Sequence, residues 1–539
     1  PGYKPGYLVR AEGHPVNKYF AGEALLLLPF FLIGLLFSFL TGAPVDGYSF
    51  FFQISIGLGG LFYLLAGLFY LYRILRYFRI RPGITAMLLP VLLLGTNLFY
   101  YTLWQLTMSH LYSFFAINAL IFYTLSAVRS WEYRSAILTG LFLGLVFLIR
   151  PTNLAVLMLI PFLAGDLTTL AAFSRSLWQK KKVTILFFLS FLLLALIQPA
   201  LWFGQTGKFF IWSYHNEGFI FSRPEILNVL FSYRKGLFTY TPLILLSWLG
   251  LIFLAFTNRV RFFSMLFFIG LSTYVISCWW NWYYGDGFGL RAFVDYYGIF
   301  FLLLALMINC LPRKFTIPLF IVVILPLVFL NLFQTWQYTH YVIQPNSMNR
   351  DKYRYVFLKA DSASVNCLGG NLEQADYSVD PRKPDLILRN DFERPAESWS
   401  DIPVLPSSRS FSPGHTGYLD SVHPYSPGLN IRAQKLGTLP ARFFVEGELM
   451  VWDSVKSASN KALIVLSMDS INPRENYWQG FRLNDVPRQD FKTWSKRNFS
   501  LTLPEISNPN GILKIYIWNT GKNPLLIDDF ELRFYRVKD

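Results

Sequence analysis

FFFQISIGLGGLFYLLAGLFYLYRILRYFRIR, residues 50–81, decides the fold of this chain. Its first part, 50–72, is uncharged and long enough to cross a bilayer core, which takes about 20 apolar residues in a helix. Arginines then crowd its end, at Arg73, Arg76, Arg79 and Arg81. The figure recurs through the first 340 residues: apolar runs stand at roughly 84–101, 111–128, 135–150, 153–167, 183–203, 238–257, 262–279, 296–311 and 315–336, with a basic cluster in every second gap. The other clusters are Arg129 with Arg134, Lys180 to Lys182, Arg259 with Arg261, and Arg313 with Lys314. Cytoplasmic loops retain Lys and Arg because their export is resisted, so the alternation reads as a topology map with these five gaps inside. Ten spans that begin outside also finish outside, which places residues 337–539 and those before 48 in the extracytoplasmic space.

Composition agrees. Hydrophobic residues make up 53%, charged residues 15%, and mean hydropathy is +0.37, which excludes an ordinary soluble domain and points to a polytopic helical membrane protein. The net charge of +16 is accounted for by loops facing anionic lipid, so nucleic acid is not an expected partner. Cys278, Cys310 and Cys367 have neither metal-ligand spacing nor a disulfide framework. The run Ala24–Leu40 is expected as an interfacial or re-entrant helix against the outer leaflet, interrupted by Pro29 and Gly34. An eleventh ordinary span is the alternative. No signal-like segment opens the chain at Pro1, and an upstream portion with one more span is expected.

Beyond residue 340 the composition turns polar. Residues 341–387 read as a connector, and 388–539 as an all-β sandwich with strands at RFFVEGELMVW, KALIVLSMD, GILKIYIWN and LLIDDFELRFY.

Polar residues with chemical potential gather in the external segments. Arg150 stands where Pro151 breaks a helix, and a cation there needs a partner: an anion at the interface such as lipid phosphate, headgroups reached by snorkelling, or an acid such as Glu217. His110 opens a span and could equally be a satisfied polar residue at a helix start. Arg291 follows GDGFGL, whose glycines permit either close backbone approach to a ligand or simply a tight turn. Phosphate binding is therefore assigned to Arg150, Arg291 and His110, then Lys18 and Arg234, with Arg favoured for its bidentate geometry. Glu12, Glu217 and Asp286 are the candidate catalytic carboxylates; pairing with nearby Arg is the alternative for the last two.

The order NKYFAGEALLLLPFFLIG, MSHLYSFF, RPTNL, RKGLFTYTP and WWNWYYGDGFGLRAF, over about residues 10–340, resembles integral-membrane glycosyltransferases of the GT-C superfamily, which includes protein mannosyltransferases and lipid A aminoarabinose transferases. The resemblance implies a polyprenyl-phosphate sugar as donor and a glycan, lipid or protein acceptor. It also implies inversion at the anomeric carbon and, in some relatives, a divalent metal beside the phosphate. In that class the key acid follows the first span, a position that would precede Pro1; Glu12 is the nearest remaining acid and is not matched to it. NDFE, SPGHTGYLDS and LLIDDFELRFY, over about residues 388–538, resemble galactose-binding-like and carbohydrate-binding jelly rolls. This implies adjacent first and last strands and a structural calcium on Asp391, Glu393 and Asp528. Tyr477, Trp478, Trp494 and Trp518 are candidates for sugar stacking, with core packing as the alternative.

The leading expectation is a glycosyltransferase in a bacterial inner membrane, its C-terminal domain extracytoplasmic, or periplasmic if there are two membranes. Two alternatives stand beside it: a noncatalytic subunit that docks envelope proteins through its sandwich, and a lipid-linked glycan transporter. A transporter needs a polar path through the midplane, and few charges lie within these spans.

Overall fold

The computed structural model describes residues 7–214, 217–370, 383–394, 397–400, 404–406, 409–412, 414–455, 461–472, 475–487, 491–521 and 523–537. They form two units, Pro1–Trp336 and Gln337–Asp539.

After a β-hairpin, β1 (Leu8–Ala11) and β2 (His14–Asn17), the first unit is helical. It opens with α1 (Gly22–Thr41), α2 (Phe50–Tyr77), α3 (Pro82–Leu94), α4 (Leu98–Leu103), α5 (Ser109–Arg129) and α6 (Tyr133–Ile149). Among the described residues, seven helices are long and apolar enough to cross a membrane: α1, α2, α5, Lys181–Thr206, Arg259–Ser277, Arg291–Cys310 and Arg313–Thr339. Of the ten expected spans, six have this length. The other four coincide with the shorter helices α3, α6, Pro151–Ala164 and Pro242–Thr257. Proline marks the start of three of them: Pro82, Pro151 and Pro242 stand in the first turn, where a missing N–H costs nothing.

The run Ala24–Leu40 is not interrupted, contrary to expectation; α1 continues through Pro29 and Gly34. Gly34 is a contact, since a Cβ there would lie 2.9 Å from Phe52 Cα. Phe31 meets Phe52 at 4.9 Å, and the Tyr63 hydroxyl donates to Leu26 O at 2.8 Å, so α1 runs antiparallel to the first half of α2. The second half of α2 follows α5 in parallel instead: Tyr63 meets Tyr112, Tyr70 meets Tyr123, and Arg129 lies over Tyr77. At 1.5 Å per residue α2 is about 42 Å long, so α1 rides the part that projects past the start of α5.

The basic gaps converge at the end of α5. Arg129 covers Tyr77, Lys180 Nζ donates to Trp131 O at 3.0 Å, and Arg261 lies 5.2 Å over the Phe78 ring. Arg81 Nη2 reaches Ile308 O at 3.0 Å and Leu311 O at 3.1 Å. Segments 230 residues apart in sequence thus share one end of the helical unit.

Among the described residues of the second unit, ten strands form two sheets: β3 (Leu386–Asn390), β4 (Val404–Pro406), β5 (His415–Leu419), β6 (Leu429–Arg432), β7 (Phe443–Asp453), β8 (Leu463–Asn472), β9 (Glu475–Arg482), β10 (Trp494–Thr502), β11 (Ile512–Trp518) and β12 (Leu525–Arg536). One sheet has the order β10-β7-β12-β5-β4, with β3 also pairing to β12; the other is β6-β11-β8-β9. First and last strands of the sandwich therefore pair, antiparallel from Phe530↔Asn390 to Phe534↔Leu386. Alternate residues, among them Leu449, Val451, Ile464, Leu466, Ile515, Ile517 and Leu532, fill the core between the sheets. Part of the expected connector is built into this unit. Lys352 is buried and paired with Asp485 at 2.5 Å, and its Nζ also donates to Ser347 O at 2.9 Å.

Candidate functional site

Three chain breaks meet at the end of the helical unit opposite the basic gaps. Met108 is extended ahead of α5; Arg150, held extended by Pro151, ends α6; and a short 3₁₀ turn, Arg291–Tyr296, precedes the helix from Tyr297. Each break aims a polar side chain inward. Asp295 is their common partner. One of its oxygens lies 2.7 Å from His110 Nδ1, and the other accepts from Asn153 Nδ2 at 2.8 Å and lies 3.7 Å from Arg150 Nη1. Asn153 in turn donates to Ser113 Oγ at 3.1 Å and accepts from the Tyr296 hydroxyl at 2.8 Å, while Arg150 Nη2 reaches Ser109 Oγ at 3.4 Å. His110, Asn153 and Asp295 are each 1% exposed. A buried carboxylate is tolerable only with partners of this kind. Arg150, with 27% of its side chain exposed, is the member that faces out.

GDGFGL forms the second wall. Gly285, Gly287 and Gly289 have φ of 65°, 145° and 62°, and a Cβ on Gly289 would stand 3.1 Å from Asn97 Nδ2. The loop's carbonyls are pinned from outside: Lys235 donates to Gly287 O, and Asn97 Nδ2 and Tyr101 OH donate to Phe288 O at 2.9 and 3.2 Å. Arg291 folds back to Asp286 O at 3.1 Å and Met108 Sδ at 3.7 Å, and its buried Nε has no hydrogen-bond partner among the described residues. Arg150 and Arg291 act together on Tyr284 and Tyr214. Burial pushes both phenols up, and the two guanidiniums oppose that rise.

At the rim, Lys18 pairs with Glu217 at 2.5 Å and lies 5.2 Å from the Tyr214 ring, which also meets Tyr19 and Trp279. Arg234 stacks on Tyr283 at 3.3 Å. Lys235 is 2% exposed; burial, helped by Arg291 and Arg234 and opposed by Asp286, pushes its ammonium down to about 7.

Of the residues expected from sequence, the structure gathers His110, Arg150 and Arg291, with the Lys18–Glu217 pair at the rim. Arg150 takes Asp295 as its acid, not Glu217. Glu12 does not join: it stands half exposed on the β1–β2 hairpin and is drawn to Lys208 at 2.8 Å. Asp286 is exposed and contributes its backbone carbonyl to Arg291. Sequence reasoning did not assign Asp295, Asn153, Ser113 or Lys235 to the site. For Asp295 a signal was present, because a carboxylate at the edge of an apolar run is rare without a function or a partner.

The expected metal ligands do not converge. Asp528 is buried and accepts from Phe411 N and Ser412 N, both at 3.1 Å; Glu393 accepts from His415 N at 2.9 Å; and Asp391 Oδ1 accepts from Glu393 N at 3.1 Å. Among the described residues no three His, Cys, Asp or Glu side chains are grouped to hold a metal. Nor does the helical site suit a divalent ion, since its buried carboxylate is already shared by His110, Asn153 and Arg150. Of the aromatic candidates, Tyr477 packs toward the core, whereas Trp478 is 56% exposed on the outer face of the four-stranded sheet. Trp518 stacks with Tyr425, and Trp494 pairs across strands with Trp452.

No family model and no curated protein matches this chain. Among solved structures it is similar over 100% of its length to arabinosyltransferase EmbB from Mycobacterium smegmatis, with 11% identity and a TM-score of 0.29, and spans 66% of that chain. It is also similar over 28% of its length to the CBM22-1 xylan-binding domain of Paenibacillus barcinonensis Xyn10C, with 14% identity, a TM-score of 0.20 and 94% of that chain covered. Over 27% of its length it resembles the CBM22-1–GH10 modules of Clostridium thermocellum Xyn10B, with 10% identity, a TM-score of 0.21 and 28% of that chain covered. The chain thus spans less than two thirds of the arabinosyltransferase and of the xylanase. Likenesses this slight define no family. Helix lengths and the buried polar site define the class more directly: an integral membrane protein with a β-sandwich appended.

Proposed function

We propose that the helical unit is a membrane glycosyltransferase that moves a sugar from a polyprenyl-phosphate donor to an extracytoplasmic acceptor, with inversion. One observation carries the reading: Arg150, 3.7 Å from the buried Asp295, and Arg291, which stands on the same 3₁₀ turn as Asp295 and reaches Met108 Sδ at 3.7 Å ahead of His110, gather two guanidiniums at one end of the helical unit. When phosphate leaves the anomeric carbon its negative charge grows, and fixed guanidiniums stabilise that charge more in the transition state than in the ground state. Asp295 holds Arg150 and His110 in place from below. Tyr214, Tyr284 and Trp279 supply faces for the sugar ring, whose C–H surface packs on aromatic planes.

The acceptor hydroxyl must lose a proton, and Glu217 is the carboxylate we assign to take it. It stands 31% exposed at the rim, where an acceptor from water would enter, and its charge acts on the same tyrosine as both arginines. Convergence of the basic gaps at the far end supports an external position for the site by the rule that loops rich in Lys and Arg stay inside. By the same rule the helix Arg313–Thr339 leads outward, so the sandwich is extracytoplasmic, in keeping with an envelope enzyme of the bacterial inner membrane.

The test is acceptor-dependent release of polyprenyl phosphate by the purified full-length protein. Glu217→Gln should lower turnover by about 10²-fold, within the usual range for a general base, with donor binding retained. Asp286→Asn should leave it near wild type. The reverse order would move the base to Asp286. Loss of donor binding in Glu217→Gln would recast that residue as structural.

A further inference from the structure

WEYR, residues 131–134, joins α5 to α6, and LWQKKK, residues 177–182, joins the helix Leu167–Gln179 to the one that starts at Lys181. The two turns meet at the end of the helical unit opposite the candidate site, because Leu167–Gln179 is amphipathic and lays Phe173 and Leu177 against Trp131 and Val183. Trp131 is 3% exposed; its ring meets Phe173 at 5.5 Å and Phe187 at 5.6 Å, and its Nε1 donates to Thr184 Oγ1 at 3.0 Å. Its carbonyl accepts from Lys180 Nζ at 3.0 Å, which ties the lysine run to the first turn. Lys180 is thereby committed to structure. Lys181 and Lys182 are exposed, and their ammoniums have no hydrogen-bond or ion-pair partner among the described residues.

Between the two turns lies a cavity of about 510 Å³ lined by Trp131 to Tyr133 and by Gln179 to Val183. The three lysines line it against one carboxylate, Glu132, which already accepts from Ser130 Oγ at the start of α6. Asp166, the other acid between residues 129 and 184, serves the far end of its helix by accepting from Thr169 N at 2.7 Å. The basic gaps 73–81, 259–261 and 313–314 that share this end contain no acid. In addition, the helix from Lys181 opens without a side chain capping its N–H groups, and its positive end adds to the lysines. Ammoniums of this kind suit a phosphate, which they can meet without a fixed fork geometry. The rim decides between a soluble phosphate and a lipid. Trp178 is 79% exposed and Tyr133 is 54% exposed, on either side of the cavity lining. Indole and phenol rings collect at headgroup depth, and by the charge rule this end faces the anionic cytoplasmic leaflet.

We propose that this cavity holds the headgroup phosphate of an anionic phospholipid of the cytoplasmic leaflet, with Lys181 and Lys182 as the ammonium donors and Trp178 as the interfacial anchor. It lies away from the transfer site and stands or falls apart from the transfer reaction. The test titrates the purified full-length protein, in neutral detergent, with phosphatidylglycerol, phosphatidylcholine of the same acyl chains and soluble glycerol phosphate, and counts bound ligand by native mass spectrometry. Phosphatidylglycerol should bind about tenfold or more tighter than phosphatidylcholine, and glycerol phosphate should not displace it. Lys181→Gln with Lys182→Gln should abolish the preference without moving the unfolding midpoint measured in the absence of lipid, since both side chains are exposed. Arg313→Gln with Lys314→Gln, which removes two cations from another basic gap at the same end, should keep the preference. Equal binding of the two lipids, or displacement by glycerol phosphate at matching concentration, would overturn the proposal. So would a preference that survives the Lys181 and Lys182 variant, or one lost equally in both double variants, which would mark a diffuse surface charge in place of a site.

Discussion

Arg150 shows how much one residue decides here. Pro151 ends its helix, the extended backbone aims the guanidinium at Asp295, and a quarter of the side chain still faces out to meet an anion. Replacing it by Ala should reduce donor turnover by about 10²-fold, the scale of losing one transition-state donor. Arg150→Lys should recover little, because an ammonium cannot reproduce the two-pronged geometry. Measured sugar transfer from a polyprenyl-phosphate donor checks both. Lys235 gives a second prediction. Its folded pKa of about 7 lies below its ordinary value of 10.5, so its contribution to stability is present above 10.5 and is lost as pH falls through about 7. The stability difference between wild type and Lys235→Met should therefore move against wild type as pH is lowered from 10.5 to 7, followed by thermal unfolding at a series of pH values. A flat difference would mean that Lys235 remains charged throughout. The sequence placed Arg150, Arg291 and His110 in external segments, and periodicity was enough for that. It could not show that Asp295 joins them, because its partners lie 142 and 185 residues away in sequence and only folding brings them together.

Among the elements, strands and helices were legible for different reasons. The four segments written with period-two alternation became β7, β8, β11 and β12, since a sandwich core imposes that period on every strand. Helix lengths were less legible. Hydropathy reads straight through a break in the backbone, so it drew 84–101 as one run where α3 stops at Leu94 and α4 starts at Leu98. α1 shows a second limit: Gly34 reads as a breaker by propensity but is required for contact with Phe52, and tertiary packing overrode propensity. Asp528, expected beside calcium, shows how local contacts escape a sequence reading: it satisfies backbone N–H groups of the strap, residues 409–412. Asp528→Ala should destabilise the sandwich by about 1–3 kcal/mol, the cost of leaving buried donors unpaired. Chelator should leave wild-type unfolding unchanged. A midpoint that falls on adding EDTA would restore calcium to this edge.

At the scale of the whole molecule, the charge pattern and the fold agree. Five basic gaps far apart in sequence meet at one end of the helical unit, and the candidate site lies at the other. In a background without native cysteines, Glu12→Cys in the hairpin should react with a membrane-impermeant maleimide from outside, and Lys181→Cys should react only after permeabilisation. Labelling in the opposite order would place the site inside and remove its access to an extracytoplasmic acceptor. The central claim is that the arginine pair above Asp295 holds the phosphate of a lipid-linked sugar. Its most direct test is polyprenyl phosphate release by the full-length protein across a panel of polyprenyl-phosphate sugars. Acceptor-dependent release by wild type, lost in both Arg150→Ala and Arg291→Ala while each variant stays folded, is the predicted result. Full turnover in both folded variants, or silence of folded wild type across the panel, would contradict it.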